Sequence, residues 1–306
     1  MTHKPTLLND RRMIVRSLLR WYRSHGRRLP WRTTTNPYRI LLSEVMLQQT
    51  QVGRVLEKYP LFLKRFPTIR ALGQARQRDV VLIWRGMGYN NRAVRLHRLA
   101  GEVVSQHCGR LPRDHASLLA LPGIGEYTAA AIRSSAFREP VPVVDVNVRR
   151  VLSRISRRMT SVVSLRPERE TWTLARELLP VRQAYDWNQA LMDLGAMICT
   201  ALTPRCADCP VSAWCRSMNR MTRPSGRMAR PEPSRGGIPN RIYRGRIIDL
   251  LRQADHRKGV TTAVIGHAVY PGFSRPDRAW LDMLLDALNR DGLIEVRGNS
   301  RRISLK

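Results

Sequence analysis

The sequence predicts a mainly α-helical protein that ends in a small winged-helix-like domain. Apolar residues recur with helical spacing in most of the chain before residue 216, and strand-like runs stay short until the C-terminus. Between the two parts lies a stretch dominated by Pro, Gly, Ser and Arg, without apolar period, which reads as a linker. Residues 37–50, PYRILLSEVMLQQT, open with Pro37 at a first helical turn and place Ile40, Leu41, Val45 and Leu47 at apolar positions. Residues 93–107 and 170–180 also have helical spacing, and no internal repeat is visible. After the linker, 241–254 reads as a helix. Trp280, Met283, Leu284, Ala287 and Leu288 then fall at i, i+3, i+4, i+7 and i+8, with Gly292 as the stop. LIEVRGNSRRISL closes the chain as strand, Gly-Asn turn and strand. Helices followed by a basic hairpin resemble a winged helix, which serves as readily for packing as for DNA contact.

Charge narrows the class. The 306 residues carry 54 basic and 23 acidic side chains, a net charge of +31, and only five of the basic ones are lysines. A surplus this large attracts polyanions, with nucleic acid first among them. Genomic bias explains arginine over lysine but not the shortage of Asp and Glu. The N-terminus is interrupted by charge and no apolar run is long enough to span a bilayer, so a soluble, cytoplasmic protein is expected, nucleoid-associated if bacterial, with no membrane partner. In such a compartment the five cysteines are expected to stay reduced.

Four of those cysteines crowd one short segment. Cys199, Cys206, Cys209 and Cys215 follow C-x6-C-x2-C-x5-C, with Pro204 and Pro210 stiffening the loops. Four thiolates suit tetrahedral zinc or a [4Fe–4S] cluster, and spacing alone does not choose. Cys108 stands apart as an ordinary thiol. Upstream, LPGIGEYTAAAI at 121–132 sets two glycines before a helix. Gly123 and Gly125 let backbone approach an anion that the N–H groups at the helix start would hold. Alone, this could equally be a plain helix-to-helix turn.

In combination these motifs resemble the helix-hairpin-helix DNA glycosylase superfamily: LPGIG, Asp145 in VPVVDVNVRR, then the four-cysteine loop. LPWR at 29–32, LSEVMLQQTQV at 42–52, GMGYNNRA at 86–93 and ALMDLGAMICT at 190–200 sharpen the likeness to adenine glycosylases of the MutY type, which act on adenine opposite 8-oxoguanine. The resemblance covers about residues 20–218 and implies a [4Fe–4S] cluster on the four cysteines, with mispaired double-stranded DNA as partner. It also implies a cluster-bearing helical domain of 1–36 with 142–218 and a six-helix domain of 37–141; the linker at 219–240 and the winged-helix-like domain at 241–306 rest on composition and spacing, and a monomer is expected.

The resemblance assigns the chemistry as well. Glu44, set among Leu41, Leu42, Val45 and Leu47, matches the acid that protonates the departing adenine. An apolar setting favours the protonated carboxyl. Asp145 matches the carboxylate that stabilises the cationic sugar, and its place after VPVV also fits a helix cap. Asn147 matches an asparagine beside it, while Val146 stands where the family often has glycine. Tyr127 occupies the position at which strand-cleaving relatives carry a Schiff-base lysine, and no lysine occurs between Lys64 and Lys258. Base release without strong strand cleavage is therefore expected. Gln48, Gln49, Met87 and Tyr89 match wedge and intercalating positions, which base extrusion requires, although their residue types also suit ordinary helix and core roles.

The chain departs from many relatives at its end, where 66 residues patterned as a winged helix stand in place of a Nudix-like domain. Two other readings stay open. One is a thymine or uracil mismatch glycosylase on the same scaffold, against which Gln48 and Gln49 argue. The other is a non-catalytic iron–sulfur DNA-binding protein, against which the presence of both Glu44 and Asp145 argues.

Overall fold

In the computed structural model, which describes residues 7–159, 165–220, 232–298 and 301–306, helices dominate. They are α1 (Arg11–His25), α2 (Pro37–Leu47), α3 (Val52–Arg65), α4 (Ile69–Gly73), α5 (Gln77–Ile83), α6 (Asn91–Gln106) and α7 (His115–Ala120). There follow α8 (Glu126–Ser135), α9 (Val146–Ser156), α10 (Glu168–Leu178) and α11 (Ala184–Met197). The C-terminal part holds β1 (Ser234–Arg235), β2 (Ile238–Pro239), α12 (Asn240–Gln253), β3 (Val260–Thr261), α13 (Thr262–Val269), α14 (Arg278–Arg290), β4 (Ile294–Arg297) and β5 (Arg302–Leu305). The chain divides into two units: Met1–Leu41, Arg113–Leu119 and Ile124–Met228 in the first, Leu42–Pro112, Ala120–Gly123 and Ala229–Lys306 in the second.

The first unit is organised by apolar stripes at helical spacing. Ile14, Leu18 and Leu19 of α1 pack with Val148, Val151, Leu152 and Ile155 of α9, and with Trp187, Leu191 and Leu194 of α11. Each such burial contributes roughly 1.5–3 kcal/mol. Into this core the fold admits one carboxylate. Asp193, with its side chain fully buried, accepts from Arg27 Nε at 2.7 Å, from the Arg27 N–H at 2.8 Å and from both Arg32 Nη atoms at 2.8 Å. The LPWR and ALMDLGAMICT motifs thus meet in one buried ion pair.

In the second unit α4 and α6 cross so closely that a Cβ on Gly73 would lie 2.7 Å from the Ala100 carbonyl oxygen. Trp84, fully buried, sets its ring edge-on to Phe62. The C-terminal elements run helix, strand, helix, helix, strand, strand, and their antiparallel sheet has the order β3-β5-β4. That is a winged-helix topology, with Ile247, Leu251, Ile265, Leu284, Leu288 and Ile303 in its core.

Several expectations need correction. Met283 is 48 % exposed, because α14 turns Leu281 and Leu285 inward with Leu284 and Leu288 instead. The end of the expected linker is ordered: β1 and β2 pair antiparallel over Ser234–Pro239 and lead into α12. Residues 221–231 of that linker, and Asn299 of the Gly-Asn turn, lie outside the described residues. Helix α2 stops at Leu47, short of the expected residue 50, so Gln48 and Gln49 are not helical, and Glu44 falls in its last turn.

Candidate active site and cysteine cluster

The glycine turn joins α7 to α8. Gly123 has φ +86°, a left-handed conformation that a side chain strains, whereas Gly125 is extended at φ −108° and forms the N-cap of α8. A Cβ on Gly125 would meet no atom within 4 Å, so the turn presents bare backbone. The first N–H groups of α8 have no acceptor within their own helix, which equips this end for an anion. Tyr127, in the first turn of α8, packs against Ala130, Ala131 and Val143 with Trp172 and Met192.

Asp145 is the N-cap of α9. One carboxylate oxygen accepts the Val148 N–H at 2.7 Å, and the other accepts from Asn147 Nδ2 at 2.7 Å. The Asn147 amide oxygen accepts in turn from Arg150 Nη2 at 2.9 Å. Arg150 also donates to the carbonyls of Gly195, at 2.7 Å, and Cys199, at 2.8 Å. A chain of hydrogen bonds therefore links Asp145 to the first cysteine. The contact tolerates no side chain at residue 195, where a Cβ would sit 2.7 Å from Asn147 Cβ. Val146 takes the first helical position and is 74 % exposed, so nothing here calls for glycine.

Cys199, Cys206, Cys209 and Cys215 line one small cavity together with Arg154, Ile198 and Pro204. Arg154, 2 % exposed, donates to Cys199 Sγ at 3.3 Å and to the carbonyls of Thr200 and Ala201 at 2.7 and 2.8 Å. Burial pushes the free thiols up, Cys209 to about 12 and Cys215 to about 11. Bound metal reverses that preference by holding thiolates. Among the described residues no three His, Cys, Asp or Glu side chains converge closely enough to hold a single ion. The donors fit a larger sulfur-bridged group: four thiols spaced around one cavity, with a buried guanidinium beside them. Cys108 is exposed and apart.

Glu44 is half-buried in α2, between fully buried Leu41 and Leu42 and nearly buried Val45. It belongs to the second unit and Asp145 to the first. Two of the four wedge candidates share a feature that periodicity cannot reveal. Gln49 has φ +54° and Tyr89 φ +43°, both left-handed. Tyr89 is 50 % exposed, whereas the Met87 side chain is only 4 % exposed. Arg92 fixes both turns. Its Nη1 donates to the carbonyls of Val45, Met46 and Gln48, and its Nη2 to Thr50 Oγ1 and the carbonyls of Met87 and Gly88, over 2.6–3.1 Å. The guanidinium lies over the rings of Trp84 and Tyr89, and burial brings its pKa down to about 10. Gln48, Gln49, Met87 and Tyr89 are thus gathered on two turns stitched by one arginine. Arg92→Ala is expected to cost at least about 3 kcal/mol, because six acceptors lose a buried donor together. Chemical denaturation checks this.

Sequence reasoning missed Arg92, Arg150, Arg154 and the Arg32–Asp193 pair. The one available signal was an arginine at an apolar helical position, and arginine is too frequent in this chain for that to stand out.

Residues 42–176 match the HhH-GPD superfamily of base excision DNA repair proteins. An adenine DNA glycosylase of Mycobacterium tuberculosis (strain CDC 1551 / Oshkosh) is 38 % identical over 298 residues, spanning 93 % of both chains. The human adenine DNA glycosylase is 40 % identical over 214 residues, 67 % of this chain and 39 % of that one. Among solved structures, a thermostable thymine-DNA glycosylase superposes with a TM-score of 0.62 at 32 % identity, covering 67 % of this chain and 95 % of that one.

Proposed function

The chain belongs to the adenine DNA glycosylases of the HhH-GPD base excision repair superfamily, and from that premise we propose how its residues divide the reaction. The protein is a DNA N-glycosylase that releases adenine from DNA by hydrolysis, and the substrate strand pairs adenine with 8-oxoguanine or guanine. Glu44 gives its proton to a ring nitrogen of the adenine, so the base leaves neutral when the C1′–N9 bond breaks. Asp145 stays ionised and stabilises the oxocarbenium-like sugar. Water adds to C1′, its proton is released, and an abasic site remains.

The observation that carries the reading is the setting of Asp145. Each oxygen accepts a hydrogen bond, as an anion needs, and Asn147 and Arg150 fix its orientation. Glu44→Gln removes the transferable proton and keeps the shape. Single-turnover base release is expected to fall by about 10²–10⁴-fold with duplex binding retained.

Gly123 and Gly125 lead a DNA phosphate to the start of α8, and Tyr127 packs beside the reacting nucleotide. Gln48, Gln49 and Tyr89 form the wedge that fills the space of the extruded base, whereas Met87, 4 % exposed, is buried and supports the turn from within. With tyrosine at residue 127, that position offers no amine to form an imine with the opened sugar. Borohydride is therefore expected to trap no enzyme–DNA adduct, and nicking of the product strand to require alkali. Trapped adduct would overturn the monofunctional reading.

Cys199, Cys206, Cys209 and Cys215 would hold a [4Fe–4S] cluster. Bound there, it would tie the four cysteine sulfurs together and so fix the 199–215 loop. Purified protein is expected to be yellow-brown with iron bound, and Cys206→Ala to lose both colour and iron. Stoichiometric zinc in colourless protein would contradict the cluster. A thymine or uracil mismatch activity is the second reading, favoured by the likeness to the thymine-DNA glycosylase structure.

A further inference from the structure

The C-terminal winged-helix-like part has no role in the reaction described above, yet it grips the wedge segment through a buried arginine. Arg252, at the end of α12, has a side chain only 5 % exposed. Its Nη2 donates to the Val81 carbonyl at 2.8 Å and to Asn90 Oδ1 at 2.9 Å, its Nε reaches the same carbonyl at 3.2 Å, and its Nη1 pairs with Asp249 at 2.6 Å. Asn90 directly follows Tyr89 and is the N-cap of α6, but its side chain makes no capping hydrogen bond to that helix. An asparagine at this position ordinarily accepts from its own helix start. Here the acceptor is turned outward to Arg252.

Further contacts pin the same surface. Gln77 Nε2, on α5, donates to the Gly292 carbonyl at 2.7 Å, and a Cβ on Gly292 would lie 2.6 Å from Arg98 Nη2 of α6. The 84–92 turn is thus held on two sides. Arg92 holds the carbonyls of Met87 and Gly88, and Arg252 holds Asn90 and the carbonyl of Val81. Left-handed, half-exposed Tyr89 follows Gly88, whose carbonyl Arg92 holds, and precedes Asn90, whose side chain Arg252 holds.

We propose that Arg252 is a positioning residue for base extrusion: the C-terminal domain braces the Tyr89 turn from outside, so that the wedge enters the duplex already formed. The proposal rests on reading Tyr89 as a wedge, and its test separates the two. A left-handed tyrosine on an unbraced turn relaxes, and each encounter with DNA then has to rebuild it. A braced one is preorganised, and the benefit falls on extrusion rather than on bond breaking.

The experiment compares the full-length wild type with Arg252→Ala, Arg252→Lys, Asn90→Ala and Tyr89→Ala. Stopped-flow fluorescence follows 2-aminopurine placed at the excised position opposite guanine. Single-turnover adenine release is measured opposite guanine and opposite an abasic residue, where the adenine is already unstacked. Arg252→Ala is expected to slow the fluorescence rise about tenfold, as expected for loss of hydrogen bonds from a charged donor. Its release opposite the abasic residue should stay within about twofold of wild type. Arg252→Lys, which keeps the charge but not the fork, should fall between. Asn90→Ala should slow extrusion similarly and add little to Arg252→Ala. Equal loss on both release substrates would overturn the brace in favour of a general structural role. Unchanged extrusion in Arg252→Ala, with slowed extrusion in Tyr89→Ala, would overturn the brace and leave the wedge standing. Unchanged extrusion in both would overturn the wedge reading itself.

Discussion

Replacing Asp145 with asparagine is expected to reduce single-turnover release of adenine by roughly a thousandfold while leaving affinity for the mispaired duplex within a few fold. The change is nearly isosteric, and its damage is electronic. The Val148 N–H can still find the amide oxygen, but the new NH₂ group then faces the NH₂ of Asn147, which donates to Asp145 at 2.7 Å. Turning Asn147 over relieves that clash only by presenting its NH₂ to Arg150 Nη2, another donor, at 2.9 Å. The substitution therefore removes the anion that offsets the sugar's developing charge and leaves a donor facing a donor somewhere in the row. Asn147→Ala, which keeps the anion and loses only its holder, should cost far less, about tenfold. Paired measurements of release rate and of binding by mobility shift separate these outcomes. A loss of binding equal to the loss of rate would show that residue 145 serves the fold instead.

The largest expected effect on stability belongs to Asp193. Its carboxylate is fully buried, and Arg27 and Arg32 are its counter-ions. Asp193→Ala leaves the nearly buried Arg32 guanidinium without its counter-ion and deprives half-buried Arg27 of its partner, and breaking a buried pair from one side costs about 3–5 kcal/mol. The expected drop in melting temperature is on the order of 10 °C. The double variant with Arg32→Ala should cost less than the two single effects added. Burial alone would raise the Asp193 pKa, but the hydrogen bonds and charge of Arg32, with Arg27 behind them, hold it below its ordinary 3.8. Because the folded value is the lower one, this pair's contribution is complete above the ordinary value. It fades as pH falls below 3.8 toward the folded value. Acid titration of stability should therefore be steeper below that point in wild type than in Asp193→Ala.

The sequence carried some of this architecture openly and hid the rest for physical reasons. Helices α6, α10 and α12 were legible because each has an apolar stripe at a spacing of three and four residues. The cysteines were legible because four thiols in one short loop-rich segment have few uses. Helix α14 was found with the wrong face, since Leu281, Leu284, Leu285 and Leu288 make as regular a stripe as the one containing Met283. The hairpin of β1 and β2 was hidden by a Pro- and Gly-rich composition that also describes linkers. Of the candidate site, the residue types of Glu44, Asp145 and Asn147 could be read, and the hydrogen bonds that hold Asp145 could not. The left-handed backbones of Gln49 and Tyr89 leave no pattern in sequence, because neither residue type demands that conformation. Arg92, Arg150, Arg154 and Arg252 were camouflaged by a chain with 54 basic residues, where burial alone separates a structural guanidinium from a solvated one.

Single-turnover base release from a panel of matched duplexes decides the matter: A opposite 8-oxoguanine, A opposite G, T opposite G, U opposite G and undamaged A opposite T, each read with and without alkaline cleavage. The predicted result is alkali-dependent cleavage confined to the adenine strand of the two mispaired adenine substrates, lost in Asp145→Asn and strongly slowed in Glu44→Gln. Release of thymine or uracil in place of adenine, or cleavage that needs no alkali, would contradict it.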